Sequence, residues 1–242
     1  MKNFRKIFLL CAGFLVMMGI IFSSGKAFQH EDSQKGKYSY KDFEPARKCG
    51  SCHQGIYQQW TQAMMSQAYT HHWDEIEYFE LAVAHSEVKP ELKGPVDGCN
   101  GCHTPFAFMG GTLPPPRPSE KSMANESVSC DVCHLVKSAQ ADPPFNFSYL
   151  IEPGVTKYAV RKPAVESPAH KIVTNDFYKT TEFCGNCHNE KNPFGIWVKS
   201  TQLEWKEGPY SKEGVRCQDC HMPKGGPYLN AIMTKPYDDS RL

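Results

Sequence analysis

Hydrophobic positions are bunched at the start of the chain and scattered through the rest. Residues Ile7 to Phe22 are uncharged and mostly apolar, preceded by the basic "MKNFRK" and followed by small residues ending in "GKA". That order predicts an export signal over 1–27, cut near Ala27, with one mature domain over 28–242. An uncleaved anchor is the secondary reading, because the apolar run falls short of the roughly 20 residues that cross a bilayer. Cys11 lies inside the run and would leave with the signal. Further on, residues 54–69 and 73–86 read as helices, the second with Ile76, Phe79, Leu81, Val83 and Ala84 between acids. The proline-rich "GGTLPPPRPSEKS" at 110–122 cannot continue a helix and predicts a stiff loop. Residues 139–170 predict a second long loop.

Composition sharpens this picture. The chain has 242 residues with 18 prolines and 18 glycines, so it should be loop-rich, and its 40% apolar content needs help to fill a core. The formal net charge of +1 gives no sign of a nucleic-acid partner. Lys2, Arg5, Lys6 and Lys26 fall in the first 26 residues without an acid, so the processed chain would be net acidic.

Apart from Cys11, every cysteine belongs to a unit of one kind. The units are "CGSCH" (Cys49, Cys52, His53), "CNGCH" (Cys99, Cys102, His103), "CDVCH" (Cys130, Cys133, His134), "CGNCH" (Cys184, Cys187, His188) and "CQDCH" (Cys217, Cys220, His221). A zinc ribbon would pair such units and would not fix a histidine after each. A thioredoxin-type dithiol needs one copy, and a disulfide framework explains an even count but not the histidines. Two thiols at this spacing reach the two vinyl groups of a haem while the adjoining histidine binds iron. The sequence therefore implies five covalently bound haem c groups, about 43 residues for each, with the porphyrins supplying much of the apolar interior. The fold expected is mostly α with extensive coil and little or no sheet, wrapped around a haem-filled core. Trp60, Phe79, Trp197 and Trp205 should pack in that core, near haem edges or simply as filling.

The anchoring histidines are separated by 50, 31, 54 and 33 residues. The short intervals end alike, in "ESVSCDVCH" and "EGVRCQDCH", which suggests two haem-pair units, 2 with 3 and 4 with 5, after a single first haem.

A haem with two protein ligands moves electrons, whereas one with a single ligand leaves iron open. The candidates for the sixth position are His30, His71, His72, His85, His170, Met64 and Met65. His170, in the polar "ESPAH", has little reason to be a core histidine. His71 and His72 point about 100° apart on a helix, so one of them, taken as His72, faces a given ring. His85 lies on the amphipathic helix, and His30 sits in a polar tail beside the cleavage site. Three or four of these should serve five irons.

The first motif with "GIYQQW" and "AMMSQAY", then "CNGCHTPFAF", "SVSCDVCH" and "FCGNCHNEKNPFG…GVRCQDCHMP", resembles the multihaem cytochromes c related to the tetrahaem cytochrome that takes electrons from hydroxylamine oxidoreductase. The resemblance spans residues 45–225. Relatives often carry a tryptophan-x-x-serine-x-histidine pattern whose histidine is a distal ligand; here the positions read Trp60, Ala63 and Met65, which makes Met65 the thioether ligand, at haem 1 and raising its potential. Membrane-anchored quinol dehydrogenases and pentahaem nitrite reductases fit less well, the former for lack of a histidine-x-methionine after the first motif, the latter because no CxxCK occurs. The chain ends at "KPYDDSRL", where relatives often run on and supply histidines, so a short form and a truncated one both stay open.

Together these features predict a periplasmic or extracellular electron carrier whose partners are other redox proteins, with membrane contact only if the leader stays on. Two alternatives remain: a reductase or oxidase of small nitrogen or sulfur oxyanions at one five-coordinate haem, and a protomer of an extracellular cytochrome filament.

Overall fold

A computed structural model describes residues 34–161 and 166–222. Cys11, His30, the leader and the last residues lie outside the described part. The helices are α1 (Ala46–Gly50), α2 (Gln54–Thr61), α3 (His72–Glu75), α4 (Ala84–Val88), α5 (Lys93–His103), α6 (Pro105–Gly110), α7 (Cys130–His134), α8 (Glu182–His188), α9 (Thr201–Glu207), α10 (Pro209–Lys212) and α11 (Cys217–His221). The architecture is mostly α with long irregular connections. Among the described residues no helix is long and apolar enough to cross a membrane.

The expected helix over 54–69 is broken: α2 stops at Thr61 and Met64–Gln67 continues as a single 3₁₀ turn. The expected helix over 73–86 exists and is longer, with a π-helical stretch at Ile76–Val83 joining α3 to α4. The 110–122 segment is irregular apart from one 3₁₀ turn, Pro118–Glu120.

The 139–170 segment departs from the expected loop, because it carries β2 (Tyr149–Ile151) and β3 (Thr156–Ala159). β1 (Val136–Ala139) pairs antiparallel with β2, β3 pairs parallel with β4 (Lys171–Thr174), and β5 (Asn189–Lys191) pairs antiparallel with β6 (Trp197–Ser200). Buried backbone needs hydrogen-bond partners, and Tyr149 and Ile151 are buried, so pairing with β1 satisfies what a free loop would leave open.

The core gathers Phe43, Phe106, Phe108, Met109, Val132, Leu135, Val136, Phe147, Tyr149 and Ile151, with Cys102 and Cys187 packed against it. Residues 144–147 lie directly on two of the motif helices. A Cβ on Gly101 would meet that of Phe147 at 2.9 Å, and one on Gly185 would meet the Pro144 ring at 2.9 Å. Glycine at those motif positions permits the close approach. Two asparagines then lock the segment: Asn186 accepts from Ser148 at 2.7 Å, while Asn189 donates to the Pro144 carbonyl at 2.9 Å and accepts from Gln202 N–H at 3.1 Å.

Of the four aromatics singled out in the sequence, Phe79 packs against a second, smaller core cluster of Tyr69, Ala107 and Ala124, and the three tryptophans belong to neither cluster. Trp60 and Trp205 use their indole N–H groups as clips, Trp197 packs edge-on to Phe145 with Lys191 Nζ over its ring at 4.3 Å, and Phe79 carries Arg117 over its face at 4.4 Å.

Candidate haem-binding site

Each Cys-x-x-Cys-His unit lies on a short helix or at its end, so one helical turn holds both thiols and the histidine in a fixed relation. No described cysteine is in a disulfide. Among the described residues no three His, Cys, Asp or Glu side chains converge on a metal-ion cage.

Cysteines of different units touch. Cys49 lies beside Cys130, Cys102 beside Cys187, and Cys217 beside Cys184. The neighbouring thiol lowers Cys49, Cys102 and Cys217, the last to about 7, and together with burial raises Cys130, Cys187 and Cys184. Burial pushes Cys99 and Cys133 up to about 11. The spatial neighbours are therefore units 1 and 3, 4 and 5, and 2 and 4. This corrects the expected pairing of 2 with 3, which followed sequence distance, and keeps that of 4 with 5.

The 1/3 and 4/5 pairs are built alike. Their first cysteines touch. Trp60, after unit 1, donates its indole N–H to the carbonyl of Val128 at 2.8 Å, and Trp205, after unit 4, donates to Val215 at 2.8 Å; each valine stands two residues before the next unit. The residue after the first cysteine of the later unit reaches the backbone ahead of the earlier one. Asp131 accepts from Glu44 N–H at 2.8 Å, and Gln218 donates to the Thr180 carbonyl at 2.7 Å. The matching "ESVS" and "EGVR" segments thus mark a repeated two-unit module, in which unit 2 is an insertion.

Two of the motif histidines are oriented from behind. His134 Nδ1 faces the Tyr158 carbonyl at 2.8 Å, which directs Nε2 away from the backbone. Burial lowers its pKa against the opposing pull of that carbonyl. His103 Nδ1 faces the Ala68 carbonyl at 2.7 Å and Asp74 Oδ1 at 3.2 Å, and the carboxylate raises its pKa. Burial lowers that of His188. A ring whose Nδ1–H is engaged in this way presents Nε2 as the free ligand atom.

His170 comes to face His53, with ring centroids 6.3 Å apart and planes 28° from parallel, and its Nδ1 is buried without a hydrogen-bond partner. Two imidazoles on opposite sides of one metal, at bonds of about 2.0–2.1 Å, have centroids about 6.2 Å apart. The pair fits an iron between them. His170 and Met65 are thus both candidates for the position opposite His53, and His170 is the one whose ring faces it. Met65 lies on the 3₁₀ turn after α2, and its carbonyl accepts from Val128 N–H at 3.0 Å.

His71 and His72 are at the start of α3 with rings 4.7 Å apart. His71 Nδ1 accepts from Trp73 N–H at 3.4 Å as the helix cap, an arrangement that puts its proton on Nε2 and leaves His72 the freer of the two. His85 is on α4, exposed. The sequence reading had no signal for Asp74, Tyr158 or Asp131, since a supporting residue carries no motif of its own. Apolar side chains that the polypeptide does not cover, among them Phe194 at 83% exposed and Trp73 at 67%, agree with the need for an additional apolar component.

Residues 48–135 match the family "Cytochrome c554 and c-prime". A penta-haem cytochrome c552 from Thermochromatium tepidum is similar in structure, with a TM-score of 0.56 and 21% identity over 82% of this chain. The chain spans 57% of the length of that protein. No curated protein matches the sequence. The fold is thus that of a multihaem cytochrome, and residues 48–135 carry the similarity to the c554-type family.

Proposed function

We propose that this protein is an exported pentahaem electron carrier, working in the periplasm or outside the cell between other redox proteins. The observation that carries the reading is the contact between units: each of the five touches at least one other through a cysteine, so groups anchored there would be close neighbours. When bound, haem c supplies one-electron exchange between ferric and ferrous iron. The polypeptide supplies the rest. Its ten cysteines fix the rings, and His53, His103, His134, His188 and His221 bind from one side. Backbone carbonyls of Ala68 and Tyr158 hold two of those imidazoles in the ligating tautomer.

In this reading His170 is the sixth ligand of the first haem, His72 and His85 are available to others, and Met65 is not required at haem 1. The order of contacts suggests a route running 1 to 3 and 5 to 4 to 2, with the two modules joined through the shared core. Residues 1–27 would act as the export signal, which the attachment of haem c outside the cytoplasm requires.

The test is a haem count and a spin count on the same preparation. Pyridine haemochrome analysis and intact mass should give five haems per chain, and electron paramagnetic resonance of the oxidised protein should be dominated by low-spin iron. Fewer than five haems on a fully matured chain would sink the reading. A high-spin haem that binds nitrite or sulfite would replace the carrier with an oxyanion reductase.

A further inference from the structure

We infer that Asp74 is a positioning and tuning residue that holds the haem anchored at His103 at low potential, so that this haem passes electrons on rather than storing them. The inference rests on the proposed haem at unit 2 and goes beyond it.

Three observations place the carboxylate. Asp74 is the third residue of α3, and its Oδ1 lies 3.2 Å from His103 Nδ1. The same Nδ1 is hydrogen-bonded to the Ala68 carbonyl at 2.7 Å, so the carboxylate stands beside an imidazole N–H that is already engaged and acts on it by its charge. The other oxygen, Oδ2, lies 3.9 Å from His71 Nδ1. Among the described residues no lysine or arginine pairs with Asp74; the nearby Arg117 is taken by Glu75 and Glu80. Its charge is therefore directed at the imidazole.

His134 provides the contrast within the same molecule. Its Nδ1 faces only the Tyr158 carbonyl, and the carboxylate of its unit, Asp131, is neutralised by Lys157 Nζ at 2.5 Å. A carboxylate charge beside a ligating imidazole whose Nδ1–H is hydrogen-bonded raises the basicity of the ring and makes Nε2 a stronger donor. A stronger donor stabilises ferric over ferrous iron, and the potential falls. The haem at His103 should therefore be more reducing than the one at His134.

The experiment is a spectroelectrochemical titration of the five-haem protein and of Asp74→Asn, resolved into one-electron components. The expected result is that one component rises by about 59 mV, a tenfold change in its reduced-to-oxidised ratio, with the other four within twofold. Asp74→Glu should keep that component low. Should the Asn protein fail to load haem, Asp74→Ser removes the same charge and carries the same expectation. Unmoved potentials, or all five shifting together, overturn the inference while leaving the carrier reading intact. A wild-type chain with no haem on the peptide containing Cys99 and Cys102 overturns the carrier reading instead.

Discussion

The imidazole of His170 faces that of His53 at 6.3 Å between centroids, although two further units intervene in the sequence. Nothing in the chain between them predicts this meeting. It depends on β4, which begins directly after His170 and pairs in parallel with β3, bringing the 166–170 segment back beside units 1 and 3.

The first prediction follows from that pair. His170→Ala should convert one low-spin haem to high-spin without lowering the haem count, since His53 and both thioethers of that haem remain. Electron paramagnetic resonance on the oxidised variant reads it directly. An unchanged spin count would remove His170 from the ligand set.

Met65 gives the complementary case. With His170 opposite His53, Met65→Leu should leave the low-spin count at the wild-type value, and the volume-conserving exchange should cost under about 1.5 kcal/mol of stability. Loss of a low-spin signal would restore the thioether to the iron. The backbone of Met65 is tied to Val128 N–H, and this substitution decides between the thioether that the resemblance implies and the imidazole that faces His53.

The two tryptophan clips test the module. Trp60→Phe and Trp205→Phe each remove one indole hydrogen bond and leave a carbonyl, of Val128 or Val215, without that partner. Each should lower stability by about 1–3 kcal/mol, the usual cost of an unsatisfied group. Equal losses at both sites, measured by denaturant unfolding followed through haem absorbance, are the signature of equivalent roles. A large loss at one site only would mean that the modules share sequence but not mechanics.

Much of this was legible in the sequence, for reasons that are local. The five anchors need covalent spacing, which is written in adjacent residues, and the helix over 73–86 is written in apolar periodicity. The "ESVS" and "EGVR" similarity was also visible, but its partner in the spatial pairing was not, because the insertion of unit 2 puts unit 3 nearer to it in sequence while Cys49 and Cys130 meet in space. Strands β2 and β3 escaped because proline and glycine dominate the signal around them, and burial of Tyr149 and Ile151 decides their conformation. Asp74 reaches His103 only through the fold.

Glu126 supplies a pH prediction. Its Oε2 accepts from Ala46 N–H at 2.7 Å, and burial, outweighing that bond, raises its pKa above the usual glutamate value. A carboxyl raised on folding binds its proton more tightly in the folded state, so stability should fall as pH rises from the ordinary glutamate value through the raised folded one. Glu126→Gln should flatten that part of the stability profile. A profile unchanged by the substitution would show that the carboxylate is solvated after all.

The pair of Lys157 with Asp131 is the last test, and the sharpest for the packing of unit 3. The side chains are 13% and 2% exposed, and Asp131 also accepts from Glu44 N–H, so one carboxylate ties β3 and the segment before α1 to the helix of unit 3. Lys157→Met leaves that carboxylate buried and without its cation, which should cost about 3–5 kcal/mol. Adding Asp131→Asn removes the charge while keeping an acceptor for Glu44, so the double variant should regain part of the loss, and the cycle of single and double variants measures the coupling. If the double variant is no more stable than Lys157→Met, the lysine acts through its aliphatic stem and not through its charge. The contrast drawn between His134 and His103 would then rest on Asp74 alone.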